Sequence, residues 1–327
     1  MTKFKSILVC GGAGFYGSSI VDVLVKAGAE KVIVVDNLFL GNLENLQWAQ
    51  RNGNLIVYRE DARYISVLES IIEKEKPEAV INCAVKCLPY GFVDPEGAFT
   101  AGVDIAVNLC NLLRKKKFVR LAQVSSSESY GSAEYVPMDE KHPFHPETSY
   151  AAGKAAADLI VLSYRNMYNC EATVIRPFNM YGPRQNMAAY AAVIPVTIRR
   201  LLTSEKPVLE GDGEQTRDFT YVEDAAEGAL ALLECDAALG KVVNLGTGKE
   251  TKIKDLIAMI CEHFGYPFEQ IKRAPTRPAD VRRLCAGIEL AKELIGWKPK
   301  TDFKAGIEKT SKWFSETMRI TSRMTYY

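Results

Sequence analysis

The stretch Ser6-Ile7-Leu8-Val9-Cys10-Gly11-Gly12-Ala13-Gly14-Phe15-Tyr16-Gly17 decides the fold. Ser6–Cys10 reads as a buried β-strand, and a helix over Phe15–Ala27 follows directly from the glycines. Glycines 12, 14 and 17 fit G-x-G-x-x-G, and glycines 11, 14 and 17 fit G-x-x-G-x-x-G. Such a turn needs one residue with free φ and one without a Cβ against a pyrophosphate. A third lets the helix come close to the strand. The first turn of that helix offers free N–H groups and a partial positive charge to phosphate. Asp36 lies nineteen residues after Gly17, at the end of the β-rich run Lys31–Val35. An acid there hydrogen-bonds ribose hydroxyls and repels a 2′-phosphate, so the pattern favours NAD over NADP.

Outward from this loop, short apolar runs alternate with segments of helical spacing. Leu55–Tyr58, Ala79–Cys83, Phe118–Val124 and Ala172–Ile175 read as strands. Tyr64–Glu75, Ala98–Lys115 and Ser149–Tyr168 read as helices. This alternation predicts an α/β fold, a Rossmann-type doubly wound parallel sheet with helices on both faces. Its sites lie at the carboxyl ends of the strands. After Pro177 the pattern is broken by Pro183, Pro195, Pro207, Gly211 and Gly213. Residues 1–177 are therefore expected to form the NAD-binding domain, with 221–245 returning to it. Residues 178–327 are expected to form a smaller, mostly C-terminal substrate-binding lobe, with helices at Asp224–Leu233 and Lys252–Phe264, a strand at Val242–Leu245, and the segments Leu290–Gly296 and Phe303–Thr317 finishing the chain.

Composition narrows the partners. The chain has 327 residues, with 41 Lys plus Arg against 40 Asp plus Glu, a net charge of +1. That balance gives no basic footprint for nucleic acid or an anionic membrane surface. No apolar run reaches the ~18 residues of a membrane span. The opening, for all its two lysines and apolar run, reads as the first strand rather than a signal peptide. None of the eight cysteines forms a C-x-x-C, which predicts buried, reduced thiols and a cytoplasmic protein. Three histidines, two of them beside prolines in one loop, do not supply a metal site.

Tyr150 and Lys154 are spaced i,i+4 and share one helical face. A tyrosine beside an ammonium and a nicotinium cation is made more acidic, and can accept a proton from a sugar hydroxyl as hydride leaves. Ser125-Ser126-Ser127-Glu128 follows the Phe118–Val124 strand, where a serine hydroxyl would orient the reacting oxygen.

These segments resemble the extended short-chain dehydrogenase/reductase family, the nucleotide-sugar epimerases and dehydratases. The likeness also runs through Arg176-Pro177-Phe178-Asn179-Met180-Tyr181-Gly182-Pro183-Arg184, Gly211-Asp212-Gly213 with Gln215–Phe219, and Asn244–Gly248. It implies tightly held NAD used catalytically, oxidation at C4 of a nucleotide-diphosphate sugar, and return of the hydride. By resemblance, the cofactor contacts are Gly11, Gly14, Phe15, Tyr16, Gly17, Asp36, Asn37, Asp61, Ala62, Ala84, Lys86, Tyr150, Lys154 and Pro177. Asn179, Arg184, Arg217 and Arg277 are expected at the substrate, where arginine suits phosphate because its planar fork bonds two oxygens. A homodimer through the Ala98–Lys115 and Ser149–Tyr168 helices is also implied. Two residues depart from the family pattern: Cys10 replaces a threonine and Gly153 replaces a serine. Gly153 costs about 1 kcal/mol in a helix relative to Ala, which points to a close neighbour or a bulkier ligand.

The residues leave the reaction open. Ser126 takes the catalytic Ser/Thr position, followed by Ser127 and Glu128. A 4-ketone acidifies the C5 proton, and a carboxylate at Glu128 would remove it in a 4,6-dehydratase, the preferred reading. The alternative is a 4-epimerase, which needs only Tyr150, Ser126 and room for the sugar to turn, with Glu128 as a loop-capping carboxylate. Ser127 stands where dTDP-glucose dehydratases carry a second acid, and this favours the epimerase. A UDP-glucuronate decarboxylase would need an arginine where Leu284 falls. A non-catalytic NAD-binding protein would not need Ser126, Tyr150 and Lys154 together.

Overall fold

The computed structural model describes residues 1–188 and 190–324. Residue 189 and the last three residues of the expected second lobe, 325–327, lie outside the described residues. The strands are β1 (Ser6–Cys10), β2 (Lys31–Val35), β3 (Leu55–Tyr58), β4 (Ala79–Asn82), β5 (Arg120–Val124) and β6 (Glu171–Pro177), then β7 (Met180–Tyr181), β8 (Val208–Glu210), β9 (Thr216–Arg217), β10 (Thr220–Tyr221), β11 (Val242–Leu245), β12 (Thr251–Lys252) and β13 (Lys272–Ala274). The helices are α1 (Phe15–Lys26), α2 (Gln47–Asn52), α3 (Ile65–Glu75), α4 (Pro95–Arg114), α5 (Ser149–Tyr168), α6 (Val193–Leu202), α7 (Val222–Glu234), α8 (Ile253–His263), α9 (Glu289–Ile295) and α10 (Phe303–Met324).

Seven strands make one parallel sheet in the order β11-β6-β5-β4-β1-β2-β3. This is the doubly wound Rossmann arrangement that the alternating pattern predicts. The order reverses between β1 and β4, and the crevice of such a sheet opens at that point. Alternate side chains of each strand serve opposite layers. Ile7 and Val9 of β1 pack with Ile20 and Leu24 of α1 and Ala229 of α7. Leu8 and Cys10 pack with Leu68 of α3, Ile105 and Leu109 of α4 and Val161 of α5.

A third core is built from Ile194 and Ile198 of α6, Leu256 and Ile260 of α8, and Ile307 and Phe314 of α10. The chain then returns to the first core twice. α7 and β11 make one return, and Leu284, Ile288, Ala291 and Trp297 make the other. The second return was not expected, because a segment as short as α9 does not reveal which core it packs against.

Two helix starts differ from the sequence reading for one reason. α4 begins at Pro95, capped by Asp94, whose side chain accepts from Gly97 N at 2.8 Å. α6 carries Pro195 in its first turn, where the sequence reading took that proline as a break. A first-turn proline gives up only an N–H that has no partner within the helix.

Candidate active site

A cavity of about 540 Å³ runs along the carboxyl ends of the strands. Every residue expected from the sequence to be catalytic or to touch cofactor or substrate lines it. Gly11, Gly14, Phe15, Tyr16 and Gly17 follow β1, and Asp36 and Asn37 follow β2. Asp61 and Ala62 follow β3, Ala84 and Lys86 follow β4, and Ser126, Ser127 and Glu128 follow β5. Tyr150 and Lys154 face it from α5, and Pro177, Asn179 and Arg184 from the end of β6 and beyond. Arg217 of β9 and Arg277, beyond β13, also line it.

The glycine loop fits a dinucleotide. Gly11 has φ +72°, a left-handed conformation that favours glycine. A Cβ on Gly17 would lie 2.8 Å from the Gly11 carbonyl carbon and 2.9 Å from Gly12 Cα. α1 thus sits directly on the turn, and no side chain caps its N-terminus, which leaves its first N–H groups for phosphate. Asp36 also holds the loop in shape. Its Oδ2 accepts from Ala13 N at 2.9 Å and its Oδ1 from Leu38 N at 2.8 Å. Asp61 accepts from Asn37 Nδ2 at 3.1 Å and from the Arg63 guanidinium at 2.8 Å. The Lys86 ammonium is held 3.6 Å from Asp94 and 4.4 Å above the Tyr90 ring.

The chemistry-bearing groups meet where α5 crosses the end of β5. Thr148 caps α5, accepting from Ala151 N at 3.2 Å, so Tyr150 lies in its first turn. The Tyr150 phenol lies beside Ser126, which draws its value down against the larger upward push of burial. Lys154, one turn on, is buried and donates to Val124 O at 2.7 Å. Burial lowers the Lys154 ammonium to about 8, against the pull of Asp158. Gly153 is explained by a neighbour rather than a ligand: a Cβ there would lie 2.7 Å from Phe99 O of α4.

Glu128 is the second residue of a short 3₁₀ turn, Ser127–Tyr130, and the Ser126 hydroxyl caps that turn by accepting from Glu128 N at 3.3 Å. The cap is therefore the serine and not the carboxylate. Among the described residues the Glu128 carboxylate has no hydrogen-bond donor. Burial holds it above the usual carboxylate range, with Arg217 pulling the other way.

The arginines are differently engaged. Arg217 is buried, paired with Asp280 at 2.8 Å and donating to Thr216 O. Arg277 is half-exposed and reaches both Glu210 at 3.0 Å and Asp280 at 3.1 Å. Arg184 is bound to Asp22 of α1 at 2.7 Å. Among the described residues the buried Asn179 side-chain oxygen has no partner. Sequence reasoning missed Asp280, Glu210 and Asp158. Asp158 carried a usable signal, since it stands i,i+4 from Lys154 just as Lys154 stands from Tyr150.

A Rossmann sheet with a glycine turn at its switch point, and Ser, Tyr and Lys gathered over it, defines an NAD-dependent α/β enzyme. The family model described as GDP-mannose 4,6 dehydratase matches residues 8–310. The chain belongs to this family of nucleotide-sugar epimerases and dehydratases, of the extended short-chain dehydrogenase/reductase type, and NAD is its cofactor. It is 32% identical to the UDP-glucose 4-epimerase of Mycolicibacterium smegmatis, over 94% of this chain and 97% of that one. The Thermotoga maritima UDP-glucose 4-epimerase, solved with UDP-glucose, superposes with a TM-score of 0.89 at 31% identity, covering 96% of this chain and 99% of that one. The dTDP-glucose 4,6-dehydratase of Bacillus anthracis, solved with NAD, gives a TM-score of 0.87 at 29% identity, covering 96% and 97%. Among the described residues no helix is long and apolar enough to cross a membrane.

Proposed function

We propose that the chain is a 4,6-dehydratase of a nucleoside-diphosphate hexose. One observation carries this reading: Glu128 lines the sugar end of the cavity near Tyr150 with an uncommitted carboxylate. Bound NAD supplies the hydride acceptor and donor. The loop Gly11–Gly17, Asp36 and Lys154 hold it. Tyr150 takes the proton from the C4 hydroxyl, with Ser126 fixing that oxygen. Glu128 takes the proton that the 4-ketone acidifies at C5. It returns a proton to the C6 hydroxyl, which leaves as water. A carboxyl held above its usual range suits both transfers, because general acid–base groups work best near the operating pH. Asn179, Arg217 and Arg277 face the diphosphate, the two arginines exchanging part of their pairing with Asp280 for phosphate oxygens.

The test is product analysis by mass spectrometry in heavy water, over UDP-, GDP- and dTDP-hexoses. Loss of one water with one deuterium gained at C5 is the expected result. Glu128→Gln is expected to slow it by about 10²-fold, within the range of a single acid–base group. An isobaric product without deuterium, and full turnover in Glu128→Gln, would instead establish a 4-epimerase. Ser127, standing where a second acid would help dehydration, favours that second reading.

The outer surfaces of α4 and α5 expose Phe99, Leu159, Met167 and Tyr168. This supports a two-fold homodimer through these helices. Sedimentation at micromolar concentration is expected to give twice the chain mass, and a monomer would refute the dimer.

A further inference from the structure

Tyr150, Lys154 and Asp158 form one row along α5, each one turn from the next. They descend from the cavity into the protein. Tyr150 lines the cavity wall, Lys154 is 3% exposed, and Asp158 is fully buried behind the wall. The Asp158 carboxylate is bound from two directions. Its Oδ2 accepts from Ser125 Oγ at 2.6 Å and from the Arg176 guanidinium of β6 at 2.5 Å. Arg176 is itself buried, lying 4.3 Å over the Tyr130 ring. Ser125 sits between Val124, whose carbonyl takes the Lys154 ammonium, and Ser126.

One carboxylate therefore ties the catalytic helix to the strand end that carries Ser126. Its other oxygen, Oδ1, is buried with no donor among the described residues. That leaves negative charge facing a site where water is scarce and charges act strongly.

We propose that Asp158 is a positioning residue for the catalytic centre: it clamps Ser125 and Arg176 and keeps Lys154 in its ammonium form from behind. This rests on the assignment of Tyr150 and Lys154 to the reaction. Without a nearby anion, a buried lysine sheds its proton, because burial disfavours the charged form. The groups around Lys154 leave Asp158 as the anion available. Tyr150, on the same helix, is held well above its ordinary value by burial and so stays neutral. Cys83, past β4, is pushed up to about 12 by burial and also stays neutral. Val124 O is uncharged, and Glu128 and Cys87 face Tyr150. Arg176 of β6 pairs with Asp158 through Oδ2, while Oδ1 keeps no donor among the described residues and leaves part of the charge uncompensated.

The test reads Lys154 directly. The ε-carbon resonance of Lys154 is followed by NMR through a pH titration of the intact protein, and assigned by its loss in Lys154→Arg. In Asp158→Asn the midpoint is expected to fall by about one pH unit or more, the scale for losing an opposite charge nearby. Ser125→Ala, which removes the clamp but keeps the charge, should leave that midpoint in place. If Asp158→Asn does not fold, Asp158→Asn with Arg176→Gln leaves no unpaired cation, and a smaller shift in the same downward direction is expected. An unmoved midpoint in the folded variant overturns the proposal, as does an equal shift in Ser125→Ala.

Substrate-driven NAD reduction gives a second readout. The deficit of Asp158→Asn relative to wild type should be several-fold near pH 8 and smaller at lower pH, where Lys154 regains its proton. A pH-independent deficit would mean a structural role only and would overturn the charge argument. The NMR titration needs no substrate, whereas full activity in Tyr150→Phe would overturn the catalytic assignment, so the two failures are told apart.

Discussion

Tyr150→Phe is expected to cut substrate-driven reduction of bound NAD by about 10³-fold, the scale of a positioned general base. The substitution removes one oxygen and keeps the ring that lines the cavity. No neighbour replaces that oxygen. Ser126 has a hydroxyl that is a far weaker base than a phenolate, and Lys154 is engaged with Val124 O at 2.7 Å. The variant should still bind NAD, because the glycine loop and Asp36 are untouched.

The pH dependence carries a second signature. Burial pushes the Tyr150 phenol well above its ordinary value, with Glu128, Cys87 and Asp158 adding to this and only Ser126 opposing it. A base held that high is protonated at low pH. Its ionised fraction grows about tenfold with each pH unit until it saturates. The wild-type rate should climb with that slope on the acid side, and the residual rate of Tyr150→Phe should not. The check is the near-ultraviolet absorbance of NADH after rapid mixing with nucleoside-diphosphate hexoses. A variant rate above a tenth of wild type would remove Tyr150 from the reaction under both the dehydratase and the epimerase readings.

The first half of the molecule was legible because its signals are local. β1 and β2 alternate between two layers, and their apolar runs are uninterrupted, as strands buried on both faces require. The glycine turn, the acid after β2 and the Tyr–Lys spacing each depend on residues close in the chain. What was missed depends on residues distant in the chain. Asp280 meets Arg217 although they stand 63 positions apart in the sequence, and no periodicity announces such a pair. The return of Leu284–Trp297 to the first core is set by what those side chains touch, not by their own pattern. Proline misled at Pro195 because its breaking effect vanishes in a helix's first turn. Glu128 lines the cavity, and its capping alternative could be weighed only by seeing that Ser126 holds the turn. Gly153 likewise looked like a cost until the α4 backbone was found against it.

Gly17→Ala is expected to yield protein with at least about tenfold less bound NAD and a melting temperature lower by roughly 3–6 °C, from about 2 kcal/mol of overpacking. The direction opposes helix propensity, since alanine in place of glycine inside α1 would by itself stabilise by about 1 kcal/mol. Sterics decide the sign. The new Cβ would stand 2.8 Å from the Gly11 carbonyl carbon and 2.9 Å from Gly12 Cα. All of its near contacts are backbone atoms of the turn, so no flexible side chain can swing aside. α1 must then lift from the turn, or the turn must deform. Either movement displaces the helix N-terminus from the place where its free N–H groups face the pyrophosphate. It also strains the Ala13 N–H bond to Asp36 at 2.9 Å, which sets the loop against β2. One methyl group thus acts on both halves of the cofactor site. Gly28→Ala makes a useful contrast. A Cβ there meets nothing within 4 Å, but its φ of +83° strains any side chain, so stability should fall while bound NAD is retained. Chromatographic measurement of NAD released from the purified proteins, beside their melting curves, separates the two cases. Full NAD content in Gly17→Ala would mean that the loop does not hold the pyrophosphate by close approach.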